Sequence, residues 1–271
     1  IVSSSSFRLR YFMNTLPIYY VNAFTSTPFS GNPAAVILLD KWLPDDTLLK
    51  LANEIGLPET AFLVANHIRW FTPKVEVPLC GHATLATAFV LKTINKAPAT
   101  SFKFHSLSGE LTVSCHSSSF TLDFPQVPAS LNPTIKPSLE TALNIDIEEV
   151  WQSHDRYTCF VADPNRVIDY QPDFNAITQL PLPGVILTAK GHAPFDFISR
   201  FFAPRKGVNE DPVTGTSHCV LAPIWAKKLN KDKLNARQVS ARGGNIQCEL
   251  KQERLLLTGD AVLFLTGEIT F

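Results

Sequence analysis

The residues best suited to chemistry are a lone glutamate and two glycines that recur in matching surroundings. Glu59 lies within Leu57-Pro58-Glu59-Thr60-Ala61-Phe62-Leu63. Apolar neighbours of this kind desolvate a carboxyl and raise its pKa toward the range of a general acid/base. Taken alone, such a Glu reads more readily as a surface residue at a helix end or a strand start. Gly81 and Gly215 each follow a Pro-containing loop and open a helix, in Glu76-Val77-Pro78-Leu79-Cys80-Gly81 and Glu210-Asp211-Pro212-Val213-Thr214-Gly215. The free N–H groups of a helix start, with the positive end of its dipole, make an anion seat. Two seats facing each other would grip a small carboxylate, whereas either glycine alone could simply relax a tight turn.

Other chemistries find less support. The cysteines Cys80, Cys115, Cys159, Cys219 and Cys248 are odd in number and widely spaced, and no pair has metal-ligand spacing. Neither a disulfide framework nor a metal site is expected, and a reducing, cytoplasmic location fits best. No Gly-x-Gly-x-x-Gly or Gly-x4-Gly-Lys-Ser/Thr pattern occurs, so no cofactor is expected. Lys plus Arg (24) balance Asp plus Glu (24), which argues against nucleic acid or an anionic membrane as partner. No run approaches the roughly 18 apolar residues of a membrane span. A neutral chain also makes self-association plausible.

The elements that would position these residues are mostly short strands. β-branched and aromatic runs lie at 17–24, 35–39, 60–64, 67–71, 101–104, 111–115 and 120–124, and a second set at 157–161, 185–188, 195–202, 238–241, 246–250, 255–257 and 261–264. Three helices stand out: one capped by Asp45 or Asp46 and closed by Gly56, one over 82–92, and one from Gly215 toward Lys228, bent at Pro223. The pattern is α+β.

An internal repeat organises the elements. Arg69-Trp70-Phe71-Thr72-Pro73 recurs as Arg200-Phe201-Phe202-Ala203-Pro204, the two glycine loops follow, and Gly109-Glu110-Leu111 matches Gly244-Asn245-Ile246. Two pseudo-symmetric, β-barrel-like halves, each around a central helix, are expected to meet at a cleft. The expected boundaries are a tail over 1–12, a first half over 13–126 and a second over 127–271, the last strand free to return to the first half. The division falls in the Pro-rich stretch 125–137.

Several segments resemble the PhzF-like isomerases, the phenazine-biosynthesis-like family. They are Phe29-Ser30-Gly31-Asn32-Pro33-Ala34-Ala35-Val36, Pro58-Glu59-Thr60-Ala61-Phe62, Trp70-Phe71-Thr72-Pro73, Cys80-Gly81-His82-Ala83-Thr84 and Asp211-Pro212-Val213-Thr214-Gly215. The resemblance runs from about Tyr19 to the C-terminus. It implies a diaminopimelate epimerase-like fold, cofactor-free proton chemistry in the cleft, and commonly a homodimer. By motif it makes Glu59 the acid/base and places His82 and Asp211 beside it as catalytic polar residues. Asn32, Gly81, Gly215 and Thr216 become the candidate contacts to substrate.

His82 could relay a proton or serve only as a helix-start hydrogen-bond partner. Asp211 could hold a substrate amine or hydroxyl, hold His82, or cap the following helix. Asn32 could equally serve only its turn. Asn22 stands where the family pattern has an acid. Racemases of this fold use two facing thiols, and here the repeat sets Thr214 opposite Cys80. The expected function is therefore a cofactor-independent isomerase acting on a small carboxylate-bearing metabolite. The alternatives are a binding or partner-interaction protein on the same fold, and an amino-acid racemase or epimerase.

Overall fold

The computed structural model describes residues 14–94 and 99–271, so the reading of 1–12 as a tail lies outside the described residues. The first half runs β1 (Thr15–Ala23), β2 (Asn32–Leu39), α1 (Asp45–Ile55), β3 (Glu59–Val64), β4 (His67–Phe71), β5 (Glu76–Val77), α2 (Gly81–Ile94), β6 (Ser101–Ser106), β7 (Gly109–Cys115) and β8 (Ser119–Pro125). The second runs β9 (Ser130–Leu131), α3 (Lys136–Leu143), β10 (Glu149–Gln152), β11 (Arg156–Phe160), α4 (Pro164–Ile168), α5 (Phe174–Thr178), β12 (Gly184–Lys190), β13 (Phe197–Ala203), β14 (Val208–Asp211), α6 (Gly215–Leu229), β15 (Lys233–Gln238), β16 (Gly244–Lys251) and β17 (Arg254–Thr270).

Strand pairing repeats between the halves. From β1 to β8 the neighbours pair antiparallel (β1–β2), parallel (β2–β3), antiparallel (β3–β4), parallel (β4–β6), then antiparallel twice (β6–β7, β7–β8). From β10 to β17 the same succession recurs through β11, β12, β13, β15 and β16. β17 joins the two circuits: Arg254–Asp260 pairs with β8 and Ala261–Thr270 with β1, so the first half closes into a barrel of eight strands.

Closure of the first half removes its sheet edges, and each half wraps its strands around one long helix. α2 buries almost every residue from Gly81 to Ala88, and α6 buries Ser217 through Ala222. Such helices are apolar nearly all round because strands surround them. The repeat extends to charge pairing. Arg69 donates to both carboxylate oxygens of Glu76 (2.7 and 2.7 Å), and Arg200 donates to both of Glu210 (2.7 and 2.9 Å).

Two expectations are corrected, and three helices are added. Pro44, not an aspartate, caps α1; Asp45 and Asp46 lie in its first turn and make no side-chain cap, although Gly56 ends the helix in the left-handed conformation as read. The strand expected at 238–241 ends at Gln238, since Leu234, Ala236 and Gln238 point inward between exposed Lys233, Asn235 and Arg237. Polar outward residues hid that alternation. α3, α4 and α5 were not foreseen because five to eight residues give too little periodicity to read. Asp163 and Asp173 cap α4 and α5 by accepting first-turn N–H groups.

Gly31, immediately before Asn32, adopts φ +71° and donates its N–H to the Gly243 carbonyl at 2.7 Å, tying β2 to the second half. A Cβ there would sit 2.3 Å from the Ala23 carbonyl oxygen. Gly109 also has positive φ, but a Cβ there meets nothing within 4 Å. Gly31→Ala is therefore expected to cost well over about 2 kcal/mol in urea unfolding, and Gly109→Ala only about 1 kcal/mol. Equal costs at the two positions would contradict the close approach at Gly31.

Candidate active site

The two interior helices start on either side of one aromatic ring. A Cβ on Gly81 would lie 3.2 Å from the Phe124 ring, and one on Gly215 would lie 3.7 Å from Leu257 and 3.9 Å from Phe124. Neither glycine has positive φ among the described residues, so close packing of the helix start, not an unusual turn, explains Gly81. The first N–H groups of both helices lack intrahelical acceptors by geometry, and the α6 N-cap Thr214 makes no side-chain cap.

Around this seam the structure gathers Glu59, His82, Asn32 and Asp211. Glu59 is the first residue of β3, paired beside β2, which begins at Asn32. His82, in the first turn of α2, brings Nε2 to 3.3 Å from the Glu59 carboxyl. That contact lacks hydrogen-bond alignment, because His82 Nε2 is a buried atom with no hydrogen-bond partner. On the other side of the ring, Nδ1 lies 3.2 Å from Asn32 Nδ2 and 3.5 Å from Cys80 Sγ. Asn32 Nδ2 also donates to Asp211 Oδ1 at 2.7 Å and to the Val213 carbonyl at 2.8 Å. These two shorter bonds use both amide hydrogens. Asn32 thus joins the first half to the second through the side chains of the site, while its own Oδ1 has no partner.

Burial sets the protonation states. The Glu59 side chain is 17% exposed. Desolvation, with a smaller push from the charge of Asp211, raises its pKa to about 8. Desolvation lowers His82 to about 3, opposed by the Pro33 carbonyl. Near neutral pH the pair is therefore a protonated carboxyl facing a neutral imidazole, not an ion pair. Asp211 is raised by desolvation to about 6, although hydrogen bonds from Thr214 and Asn32 and the charge of Arg156 oppose the rise. Burial also lifts the Cys80 thiol well above its usual range.

Glu59, Cys80 and His82 offer ligand atoms within 4.8 Å of one another. The thiol faces Nδ1 and the carboxyl faces Nε2, so no single ring nitrogen adjoins both. An ion would also have to displace the carboxyl and thiol protons.

Three contributors lay outside the sequence reading. Gln238, fully buried, donates Nε2 to the Asp211 carbonyl at 2.6 Å and accepts the Thr214 N–H at 2.8 Å, which fixes the loop before α6. Thr214 donates its hydroxyl to Asp211 Oδ2, so Asp211 is received by the cap residue and is not the cap itself. Arg156 is buried, paired with Asp155 at 2.7 and 2.8 Å, and directs Nη1 at Ser217 Oγ (3.1 Å) and Thr216 Oγ1 (3.4 Å). The inward parity of Leu234 and Ala236 could have exposed Gln238. An Asp-Arg pair directly ahead of an apolar strand could have exposed Arg156. A cavity of about 340 Å³ opens at the seam, lined by Pro58 and Pro212, the neighbours of Glu59 and Asp211. A larger one, about 610 Å³, lies between the loop after β1 and the ends of β15 and β16 and holds none of the candidate residues.

Two half-barrels with helix starts meeting at a buried acid define a protein of the diaminopimelate epimerase-like fold, shaped for isomerase chemistry. The sequence profile of the phenazine biosynthesis-like proteins (PhzC-PhzF) matches residues 21–267, and the chain belongs to that family. It is similar to an uncharacterized isomerase of Pseudomonas aeruginosa, 48% identical over 259 residues, which cover 94% of this chain and 98% of the relative. The crystal structure of a PhzF-family protein from Enterococcus faecalis superposes with a TM-score of 0.90 at 43% identity, covering 94% of this chain and 99% of that one. A predicted epimerase of P. aeruginosa shares the fold at a TM-score of 0.73 and 17% identity, over 94% of this chain and 99% of that one. The protein is thus an enzyme of the PhzF-like isomerase family. No described helix is long and apolar enough to cross a membrane.

The raised pKa of Glu59 has a consequence for stability. Below about pH 4.5 the carboxyl is protonated folded and unfolded alike, so it contributes nothing. Between there and about pH 8 the unfolded chain releases the proton and the folded one keeps it, so stability falls as pH rises. Glu59→Gln should therefore gain on the wild type from pH 5 to pH 8, by on the order of a few kcal/mol in denaturant titrations. A constant gap across that range would mean the buried carboxyl is ionised.

Proposed function

We propose that the protein is a cofactor-independent isomerase that moves a proton within a small carboxylate-bearing metabolite, with Glu59 as the acid/base. The observation that carries this reading is the Glu59 carboxyl, held near a pKa of about 8 beside the unpartnered Nε2 of His82. A group that must take a proton and return it works best when its pKa lies near the operating pH. In the proposed cycle Glu59, as carboxylate, removes a proton from a carbon activated by a neighbouring carboxylate or conjugated system. The electron pair moves into that system as an enolate. The carboxyl proton of Glu59 exchanges with solvent during this intermediate, Glu59 then returns a proton to another carbon, and the bond order shifts between them.

The developing negative charge falls on the substrate carboxylate. The helix starts at Gly81 and Gly215, with the Thr216 hydroxyl, supply donors already oriented toward it. His82, neutral, can share the proton of Glu59 or steer it. Asn32 and Asp211 hold a polar substituent of the substrate, using the unpartnered Asn32 Oδ1 and the Asp211 carboxylate.

A two-thiol racemase fits less well. Cys80 keeps its proton, Thr214 occupies its position in the other half, and Cys219 Sγ lies 3.6 Å from the Gly215 carbonyl inside α6. The test is deuterium uptake from D2O, followed by NMR, across a panel of unsaturated and dihydroaromatic carboxylic acids. Glu59→Gln should lose about 10²–10⁴-fold in exchange with its fold intact. Cys80→Ser should stay within a few-fold of wild type. Exchange surviving in Glu59→Gln but lost in Cys80→Ser would transfer the chemistry to the thiol.

A further inference from the structure

Outside the acid site the cleft carries charge. The cavity of about 340 Å³ has Lys74 on one wall and Lys206 on the other. Lys74 belongs to the β4–β5 turn of the first half and Lys206 to the β13–β14 turn of the second, so the repeat sets one cation on each side of the seam. Lys74 reaches across it: its Cδ and Nζ lie 3.7 Å from where a Cβ on Gly207 would stand. The nearby carboxylates are already committed. Glu210 takes Arg200, Glu76 takes Arg69, and Asp155 takes Arg156 while also holding Lys206 Nζ at 2.6 Å.

Lys206, Arg156 and Asp155 together leave one positive charge. Lys74, which forms no ion pair among the described residues, adds a second. Glu210 also lines the cavity but is paired with Arg200, so the net charge facing the cavity is positive, and such a cleft concentrates its field on an anion that enters. The helix starts account for one carboxylate near the reacting carbon, and the two lysines line a cavity that also includes Pro58 and Pro212, the sequence neighbours of Glu59 and Asp211.

We propose that the substrate is a small dicarboxylate, with one carboxylate at the helix starts and the second in the seam cavity between Lys74 and Lys206. This rests on the isomerase reading and adds the chemical class of the molecule. A single-carboxylate ligand would fill the inner seat and leave the outer cations facing solvent. A dicarboxylate satisfies both and is fixed at two points, which orients the carbon between them toward Glu59.

The test is NMR-monitored titration at low ionic strength with glutarate and adipate, against pentanoate and hexanoate as matched monoacids. Wild-type protein should bind each diacid about ten-fold more tightly than its monoacid, the size of one charge-assisted contact in a partly desolvated cleft. Lys74→Ala should bring that ratio to about two, and Lys74→Glu to below one, with monoacid affinity unchanged in both. Lys74 is exposed, so neither change threatens the fold. Monoacid binding without diacid preference, or a preference that survives in both variants, would overturn the dicarboxylate assignment alone. Failure of all four acids to bind would remove the cleft as a carboxylate site and overturn both readings together.

Discussion

Everything at the cleft depends on the antiparallel pairing of β8 with the first part of β17. Seven residue pairs, Arg254↔Pro125 through Asp260↔Ser119, bind the two circuits of strands along one shared line. Phe124 and Leu257 project from that line between the helices; Gly81 approaches the Phe124 ring more closely than a residue with a Cβ comfortably could, and Gly215 packs against both at ordinary contact distance. The two helix starts converge because the strands that close the halves are hydrogen-bonded to each other. A weaker seam would let the two helix starts move apart.

The same convergence makes the site electrostatically unusual. Glu59, His82 and Asp211 all lose water, and only Asp211 receives enough hydrogen bonds to offset much of that loss. Asn32 spends both amide hydrogens on the second half, and its own Oδ1 and the far ring nitrogen of His82, Nε2, are both left without a partner. Buried unpaired polar atoms are costly and uncommon. Two of those in the protein lie here, beside a carboxyl that stays protonated near neutral pH, and the proposed substrate would give them partners. Gln238 and Thr214 hold the loop before α6 in place.

Much of this architecture is legible in the chain itself because duplication leaves paired traces. The Arg-x-Phe-x-Pro and Gly-helix segments align, and the aligned Arg69–Glu76 and Arg200–Glu210 clamps show that the match is physical as well as textual. Glu59, His82, Asn32 and Asp211 stand in motifs, and the fold brings them within contact of one another. Arg156 and Gln238 stand in no motif. Their roles come from strand register, Arg156 opposite Gly184 and Gln238 opposite Gly244, which pairing over long sequence distances decides. The short helices α3 to α5 escaped for a similar reason: Asp caps and packing on β12 and β13 hold α4 and α5, and burial of Leu139 and Leu143 in the same core holds α3, none of which periodicity reveals.

The central claim is that the fold keeps the Glu59 carboxyl neutral until mildly alkaline pH, so that one group can both take and return a proton. Infrared difference spectroscopy of wild type against Glu59→Gln tests it directly, because a protonated carboxyl has its own C=O stretch. The account predicts a protonated-carboxyl band at pH 6 that is absent from the variant and fades through about pH 8. A Glu59 band already lost by pH 6, with only a carboxylate stretch remaining, would contradict it.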